Sequence, residues 1–167
     1  MAIRQATRED VGELISLFEA VYAETKFMLM EPGESVVDAQ ALAARIESGA
    51  NAQTEIWFVS KTDAGLNGFL YGRRGVARRN HHSLYLVMGV RKAAWGQGIG
   101  SGLLESIERW ALAAAIHRVE LTVIAANERA IRAYARAGFV REGTKRDSLL
   151  IDGSYVDEIY MSKLLAP

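Results

Sequence analysis

The sequence contains no cysteine and no excess charge of either sign, and each absence excludes a class of site. Without cysteine the protein forms no disulfide, has no thiolate nucleophile and cannot build a zinc or iron–sulfur site on sulfur ligands. Lysine and arginine total 20 and so do aspartate and glutamate, so no overall field attracts nucleic acid or an acidic membrane. Any anion-binding site must therefore be local.

Long apolar runs are also absent. No stretch approaches the roughly 18 apolar residues of a membrane span, and the first five residues lack the apolar run of a secretory signal. We therefore expect a soluble, cytoplasmic protein. Half of the 167 residues are apolar, which suits one packed core, so we expect a single domain over residues 1–167. His117 and the isolated carboxylates lack metal-ligand spacing, and no metal site is expected.

The first fifty residues are predicted to form a short strand and two helices. Thr7 and Asp10 resemble a capping box at the start of the first helix, and apolar residues then recur at helical spacing. An aperiodic apolar connection over residues 24–34 follows, after which Ser35 is predicted to cap the second helix. The predicted bounds are residues 2–6 for the strand, about 11–22 for the first helix and about 36–49 for the second.

The rest of the chain predicts six more strands and two more helices, giving an open, mixed α/β sheet of about seven mostly antiparallel strands flanked by about four helices. The third helix follows a glycine-rich loop. Asn127 is a good N-cap for the fourth, which should end at Gly138, and Asp152-Gly153 indicates a type I′ turn between the last two strands. The predicted strands cover residues 54–61, 66–73, 82–90, 119–124, 139–146 and 155–164.

The glycine-rich loop, Gly96-Gln97-Gly98-Ile99-Gly100, is the strongest functional signal. Three glycines between a strand and a helix let main-chain N–H groups face one point, where the helix N-terminus adds partial positive charge suited to a phosphate. A tight turn without a ligand is the alternative. The P-loop ending is absent, and both registers of the dinucleotide fingerprint fail, because they end at Ser101 or Leu103 instead of glycine. Dinucleotide binding is therefore a weak rival.

Two blocks of the sequence resemble motifs of the GCN5-related N-acetyltransferase (GNAT) family. Residues 87–100, which end in the glycine loop, resemble the family's coenzyme-A-binding motif. The second block resembles the strand and helix that follow, and its matching residues are Leu121, Thr122, Val123, Asn127, Ala130, Ile131, Tyr134, Ala137, Gly138 and Phe139. Residues 3–7 and 153–157 are also similar to family members, so the resemblance covers essentially the whole chain. One departure is Trp95, which stands where the family usually has arginine or glutamine.

The resemblance implies a GNAT-like fold and an N-acetyltransferase that transfers acetyl from acetyl-coenzyme A (acetyl-CoA) to a primary amine. In the family, the strand before the glycine loop splays from the next strand, and its unpaired main-chain groups bind the pantetheine arm. Gly89, a glycine inside an apolar strand, independently suggests a bulge or a close backbone approach. The cofactor-binding residues implied here are Met88, Gly89, Val90, Trp95, Gly96, Gln97, Gly98, Ile99, Gly100, Ser101, Asn127 and Tyr134.

Tyr134 matches the family's helix tyrosine and is expected to be the catalytic acid that protonates the departing thiolate. A phenol of pKa about 10 keeps its proton at neutral pH and can donate it to a thiolate of pKa about 8.5. On residue type alone, a core tyrosine and a simple N-cap at Asn127 are the favoured interpretations.

Most other charged groups are interpreted as solvated. Arg129, Arg132 and Arg136 share the other face of the fourth helix and are expected to face water. A basic cluster beside a hairpin connection could meet an acidic partner, but solvation is again the favoured interpretation. Its members are Arg73, Arg74, Arg78, Arg79, His81 and His82.

The sequence leaves the general base and the acceptor open. Glu31, Glu120 and Asp157 are candidate bases, and a water held by main-chain groups would serve as well. The aperiodic loop after the first helix should shape the acceptor pocket, with Phe27, Met28 and Glu31 lining it. GNAT relatives acetylate free amino acids and their analogues, polyamines or protein N-termini. A non-catalytic acyl-CoA-binding sensor is the alternative function, and a homodimer is expected because dimers are the commonest oligomers.

Overall fold

In the computed structural model, which describes residues 2–166, the chain forms seven strands and four α-helices. Strands β1 to β7 cover Ala2–Gln5, Glu55–Thr62, Gly65–Arg74, Ser83–Val90, Arg118–Ile124, Val140–Ile151 and Ser154–Leu164. Helices α1 to α4 cover Val11–Glu24, Ala39–Ala52, Ile99–Ala113 and Glu128–Arg136. The predicted α/β fold is confirmed, with its elements in the predicted order.

The strands lie in one sheet of order β1-β2-β3-β4-β5-β7-β6. Every neighbouring pair is antiparallel except β4 and β5, which run parallel. Those two strands pair only where Ser83–Tyr85 lies beside Arg118–Glu120, although both continue further. Beyond this point they part, so the two halves of the sheet meet at the closed end of a V-shaped opening.

Side chains alternate between two apolar cores, one on each face of the sheet. In β2, Ile56 and Phe58 join the core beneath α3, whereas Trp57 and Val59 join the core beneath α1 and α2. Among residues 2–166, the core beneath α1 and α2 takes no side chain from β5, β6 or β7. On that face the far half of the sheet is therefore left without a helix.

The start and end of α2 differ from the prediction. Ser35 does not cap it; the helix begins at Ala39, and the Asp38 carboxylate accepts the Ala41 N–H at 2.6 Å. The predicted cap at Ser35 is therefore wrong; serine and aspartate are both good N-cap residue types, so residue type alone does not decide between the two positions. The helix also runs past Gly49, because Gln53 takes the left-handed conformation of a C-cap. Gly49 is instead buried against Glu55, and an added Cβ would lie 2.7 Å from that residue's Cβ.

Arg74 does not belong with the predicted solvated cluster. Its side chain is buried, and its Nε–H donates to the His81 carbonyl at 2.5 Å, which ties the two ends of the β3–β4 connection together. The other members of the cluster are exposed: Arg73, Arg78, Arg79, His81 and His82.

None of the helices in residues 2–166 has the length and apolar character that a membrane span requires.

The predicted capping box is confirmed and has an additional partner. Asp10 is buried and accepts the Thr7 N–H at 2.9 Å, while Arg4 donates to both of its carboxylate oxygens at 2.6 and 2.7 Å. The hydrogen bonds from Arg4, aided by that from Thr7, lower the pKa of Asp10 to about 2. This group joins β1 to the start of α1, which runs to Glu24, two residues beyond the prediction.

We expect Asp10 to make stability depend on acid pH. Because its folded pKa lies below its ordinary value of 3.8, its contribution of about 2 kcal/mol is complete above pH 4 and is lost as the pH falls towards 2. Urea unfolding of the wild type and Asp10→Asn should show a clear difference in unfolding free energy at pH 6 that shrinks steadily below pH 4. A difference that stays constant down to pH 2.5 would contradict this account.

Candidate active site

The opening between β4 and β5 exposes main-chain groups of β4. In the β3–β4 ladder, the Arg91 N–H donates to the Asn67 carbonyl at 2.9 Å, so odd-numbered residues of β4 direct their main-chain groups towards β3. Met88 and Val90 then direct theirs towards β5, where strand pairing has already ended at Tyr85. The Met88 N–H and C=O and the Val90 N–H therefore face the opening without a strand partner.

Gly89, predicted with Met88 and Val90 as a cofactor contact, directs its main-chain groups to β3 instead. It pairs with Phe69 in a ladder that shows no bulge. A Cβ on Gly89 would lie 2.5 Å from the Phe69 ring and 3.1 Å from Val21 of α1. The glycine therefore serves packing beneath α1, which is the close approach that the sequence suggested.

Replacing Gly89 by alanine should destabilise the fold. Because Phe69 and Val21 are buried and cannot move aside freely, we expect a loss of roughly 1–3 kcal/mol in unfolding free energy, measured by urea denaturation. Gly143→Ala, in β6, is the control, since an added Cβ there meets nothing within 4 Å. Equal stability of the two variants would be inconsistent with the packing role of Gly89.

The glycine loop leaves its main-chain amides without partners. Gly96 and Gly98 both have φ of +79°, which favours glycine, and an added Cβ at either would meet nothing within 4 Å. The main-chain ladder of α3 begins with the Gly102 N–H on the Gly98 carbonyl, at 3.0 Å. The N–H groups of residues 96–101 donate no hydrogen bond within residues 2–166. Six successive free amides at a helix N-terminus suit a phosphate or diphosphate.

Helix α4 places Tyr134 and Asn127 beside the opening. The Asn127 side-chain oxygen accepts the Ala130 N–H at 3.2 Å, so its N-cap role is confirmed. Tyr134 is only 8% exposed and packs against Phe139, but its hydroxyl has no hydrogen-bond partner among the described residues. Burial, and to a smaller extent the nearby Tyr85 phenol, raise the pKa of Tyr134 above its ordinary value. The phenol therefore keeps its proton at neutral pH.

A hydrogen-bonded chain that was not predicted lies on the opposite face, where no helix covers β5 and β7. The Tyr85 hydroxyl is 2.8 Å from the Thr122 hydroxyl, which donates to the Glu158 carboxylate at 2.8 Å. The Lys145 ammonium donates to the other oxygen of Glu158 at 3.0 Å. Burial acts to raise the pKa of Glu158, but the hydrogen bonds from Lys145 and Thr122 outweigh it and lower that pKa. Glu158 is therefore ionised at neutral pH.

The direction of these hydrogen bonds follows from the donors available. An ionised carboxylate only accepts, so Thr122 uses its single hydrogen on Glu158. Thr122 must then accept from Tyr85, whose own hydrogen is used in turn. The Tyr85 oxygen is left with lone pairs to offer, and it can accept an N–H from a ligand.

Comparison with known proteins agrees with this geometry. The profile of the acetyltransferase (GNAT) family matches residues 22–139, which is more than two thirds of the chain. The protein belongs to the GNAT acetyltransferase family. The predicted family is thereby confirmed, and with it acetyl-CoA as the donor that the family uses. The rival dinucleotide interpretation is set aside.

Similar structures cover the whole GNAT fold. A GNAT acetyltransferase from Streptococcus pneumoniae superposes with a TM-score of 0.93 at 26% identity, over 99% of both chains. The protein yncA of Salmonella typhimurium, whose structure contains its cofactor acetyl-CoA, superposes with a TM-score of 0.87 at 18% identity, over 100% of this chain and 95% of that one. The second likeness concerns the fold alone.

One curated relative is similar in sequence over a shorter stretch. The L-amino acid N-acetyltransferase AaaT of Escherichia coli strain K12 is 39% identical over 69 residues. That match spans 41% of this chain and 43% of the relative, so less than half of either protein is compared.

The three predicted general bases of this GNAT protein have different surroundings. Glu120 pairs with Arg118 at 2.5 Å, and the Asp157 carboxylate accepts the Asp147 N–H at 2.9 Å. Glu31 is exposed on the α1–α2 connection. None of the three belongs to the hydrogen-bonded chain of Tyr85, Thr122 and Glu158. In the sequence, the members of that chain are only polar residues on separate strands, and nothing there links them.

The predicted acceptor loop crosses to the far half of the sheet. Lys26 forms an ion pair with Asp152, at the tip of the β6–β7 hairpin, which links the loop to that half. Phe27 is exposed, whereas Met28 is partly buried against the core beneath α1 and α2. The loop therefore lies on the same face as Tyr85. Contacts of Phe27, Met28 and Glu31 with an acceptor stay a prediction.

Proposed function

We propose that this protein transfers acetyl from acetyl-CoA to the primary amine of a small, amino-acid-like acceptor. The observation that carries the proposal is the Tyr134 hydroxyl: the side chain is mostly buried, yet its oxygen bonds to no described residue and is not itself enclosed, so it stays available to a ligand. A phenol hydroxyl that is neither enclosed nor bonded within the protein can donate its hydrogen to a ligand.

The residues around the opening fit acetyl-CoA. The six free amides of residues 96–101 suit its diphosphate, and the Met88 and Val90 groups suit the amides of its pantetheine arm. When bound, acetyl-CoA supplies a thioester whose carbonyl carbon takes the amine nitrogen while the carbon–sulfur bond breaks. The chain itself must then position the amine and provide a proton for sulfur, while the nitrogen that forms the amide gives up one proton to water.

Two tyrosines would divide this work between the two faces of the sheet. Tyr134 holds a proton at its hydroxyl for the departing sulfur, and its raised pKa keeps that proton in place at neutral pH. On the other face, the Tyr85 oxygen accepts an N–H of the incoming amine, because its own hydrogen is committed to Thr122. The amine nitrogen then keeps its lone pair directed at the carbonyl carbon.

The charges on the acceptor face favour an amino acid over a polyamine. The carboxylates that the strands place on this face are already paired: Glu120 and Glu142 with Arg118, and Glu158 with Lys145. Of the three predicted pocket residues of the loop, Glu31 alone is charged, and a single carboxylate suits one ammonium group better than a polycation. The name of the AaaT relative, an L-amino acid N-acetyltransferase, supports the same acceptor class.

Tyr134→Phe should lower kcat by about 10² or more, because the leaving sulfur loses its proton donor. Affinity for acetyl-CoA should change little, since the ring and its contact with Phe139 are kept. The measurement is coenzyme A release, followed with a thiol reagent, over a panel of L-amino acids, spermidine and a peptide with a free N-terminus. L-amino acids should accelerate release most.

Two outcomes would count against this proposal. Tight acetyl-CoA binding without release on any amine, unchanged in Tyr134→Phe, would favour the non-catalytic sensor. Release that is fastest with spermidine would keep the reaction but replace the acceptor. Wild-type activity should also persist up to about pH 10, because a phenol with a raised pKa stays protonated there.

Tyr85→Phe should raise KM for the amine by about tenfold, as expected for the loss of one hydrogen bond to a polar ligand. The dissociation constant of acetyl-CoA should stay as in the wild type. Thr122→Val should have a smaller effect in the same direction, because it frees the Tyr85 hydrogen to turn towards the ligand. Tyr155→Phe, at an exposed position of β7, is the control. An unchanged KM in Tyr85→Phe would remove that residue from the site.

A further inference from the structure

Trp95 stands where the family usually has arginine or glutamine, and its side chain is held by the end of β4. Its indole N–H donates to the Val90 carbonyl at 2.8 Å, and the ring is partly buried. The indole has no other donor, so this side chain cannot also donate to a phosphate. It does place a flat aromatic surface directly before the free amides of residues 96–101.

That surface is occupied by Arg129 of α4. The guanidinium carbon lies 4.1 Å from the centre of the Trp95 ring, a close cation–π contact. Arg129 was predicted to be merely solvated, together with Arg132 and Arg136. Arg132 pairs with Glu128 at 2.9 Å, whereas Arg129 has no ion pair with a carboxylate in residues 2–166. Its N–H donors are therefore free, although the group is held in position.

We propose that Arg129 is the side-chain phosphate ligand of the acyl-carrier site, and that Trp95 holds it there. This inference rests on the proposed use of acetyl-CoA. A guanidinium stacked on Trp95 contacts the residue that directly precedes the free amides of residues 96–101, and its planar set of donors matches the oxygens of a phosphate. Trp95 follows β4 and Arg129 follows β5, so the pair also bridges the open end of the V.

In this arrangement Trp95 and Arg129 together do what a single arginine or glutamine at position 95 does in the family. An arginine at position 95 would have to order its own long side chain on binding, whereas Arg129 is already ordered by the indole, which in turn is ordered by Val90. Arg129, on the α4 side of the opening, therefore supplies the positive charge, and Trp95, on the loop side, holds it in position.

The test is calorimetric binding of coenzyme A and of pantetheine, which has no phosphate, to the wild type and Arg129→Gln. We expect the substitution to weaken coenzyme A binding by about tenfold or more and to leave pantetheine binding unchanged. The loss should be smaller at high salt, since the contact is electrostatic and partly exposed. Arg136→Gln, on the same helix, is the matched control and should bind both ligands as the wild type does.

A double-mutant cycle tests the part played by Trp95. Trp95→Leu should weaken coenzyme A binding in the wild type but have little further effect in Arg129→Gln, because both changes remove the same contact. Thermal unfolding checks that each variant is folded.

Coenzyme A binding that is unchanged in Arg129→Gln, or equally weakened for pantetheine, would overturn the inference and leave the proposed function standing. A wild type that binds no coenzyme A would overturn both. Additive effects of the two substitutions would overturn the anchoring role of Trp95.

Discussion

The early end of the pairing between β4 and β5 is the constraint on which the site depends. Each strand has a full antiparallel partner on its other side, β3 for β4 and β7 for β5, so each half of the sheet is held independently of the other. Only the stretch up to Tyr85 and Glu120 joins them. The sheet can therefore leave the Met88 and Val90 groups unpaired in its middle without a free edge strand there.

The opening also connects the two faces of the sheet. Tyr134 reaches it from α4 and the core beneath α3, while Tyr85 reaches it from the face left bare by α1 and α2. The two phenols are close enough for Tyr85 to contribute to the raised pKa of Tyr134. The proposed proton donor and the proposed N–H acceptor thus reach the opening from opposite faces of the sheet.

Glu158 shows how this bare face tolerates a buried carboxylate. Its burial would favour the neutral acid, but Lys145 and Thr122 each donate to one of its oxygens, and the net pKa is lowered. A neutral Glu158 could donate to Thr122, and Thr122 could then donate to Tyr85 instead of accepting from it. The ionised state is what fixes Tyr85 as an acceptor.

The sequence predicted those features that depend on local conformation. The glycine-rich turn before α3, the Asn127 cap and the Asp152-Gly153 turn each follow from what one or two residues can adopt. The cap of α2 was predicted wrongly at Ser35 instead of Asp38, because both residue types are good caps and the choice depends on which apolar residues reach the core. Nor could the sequence reveal Tyr85, Thr122 and Glu158, which lie on three strands and meet only because of the sheet order.

The contact of Arg129 with Trp95 could not be predicted from the sequence either, and it bridges the open end of the V. Helical spacing placed Arg129 correctly on the outer face of α4, but spacing within one helix says nothing about a loop that follows another strand. The open end of the V is bridged by Trp95 on the Val90 carbonyl and Arg129 on Trp95, and the second of these is a contact between side chains alone. Such a contact can part and re-form without breaking any strand pairing. Strand pairing therefore joins the two halves of the sheet at one end of the opening, and a guanidinium on an indole bridges them at the other, beside amides that suit an anion.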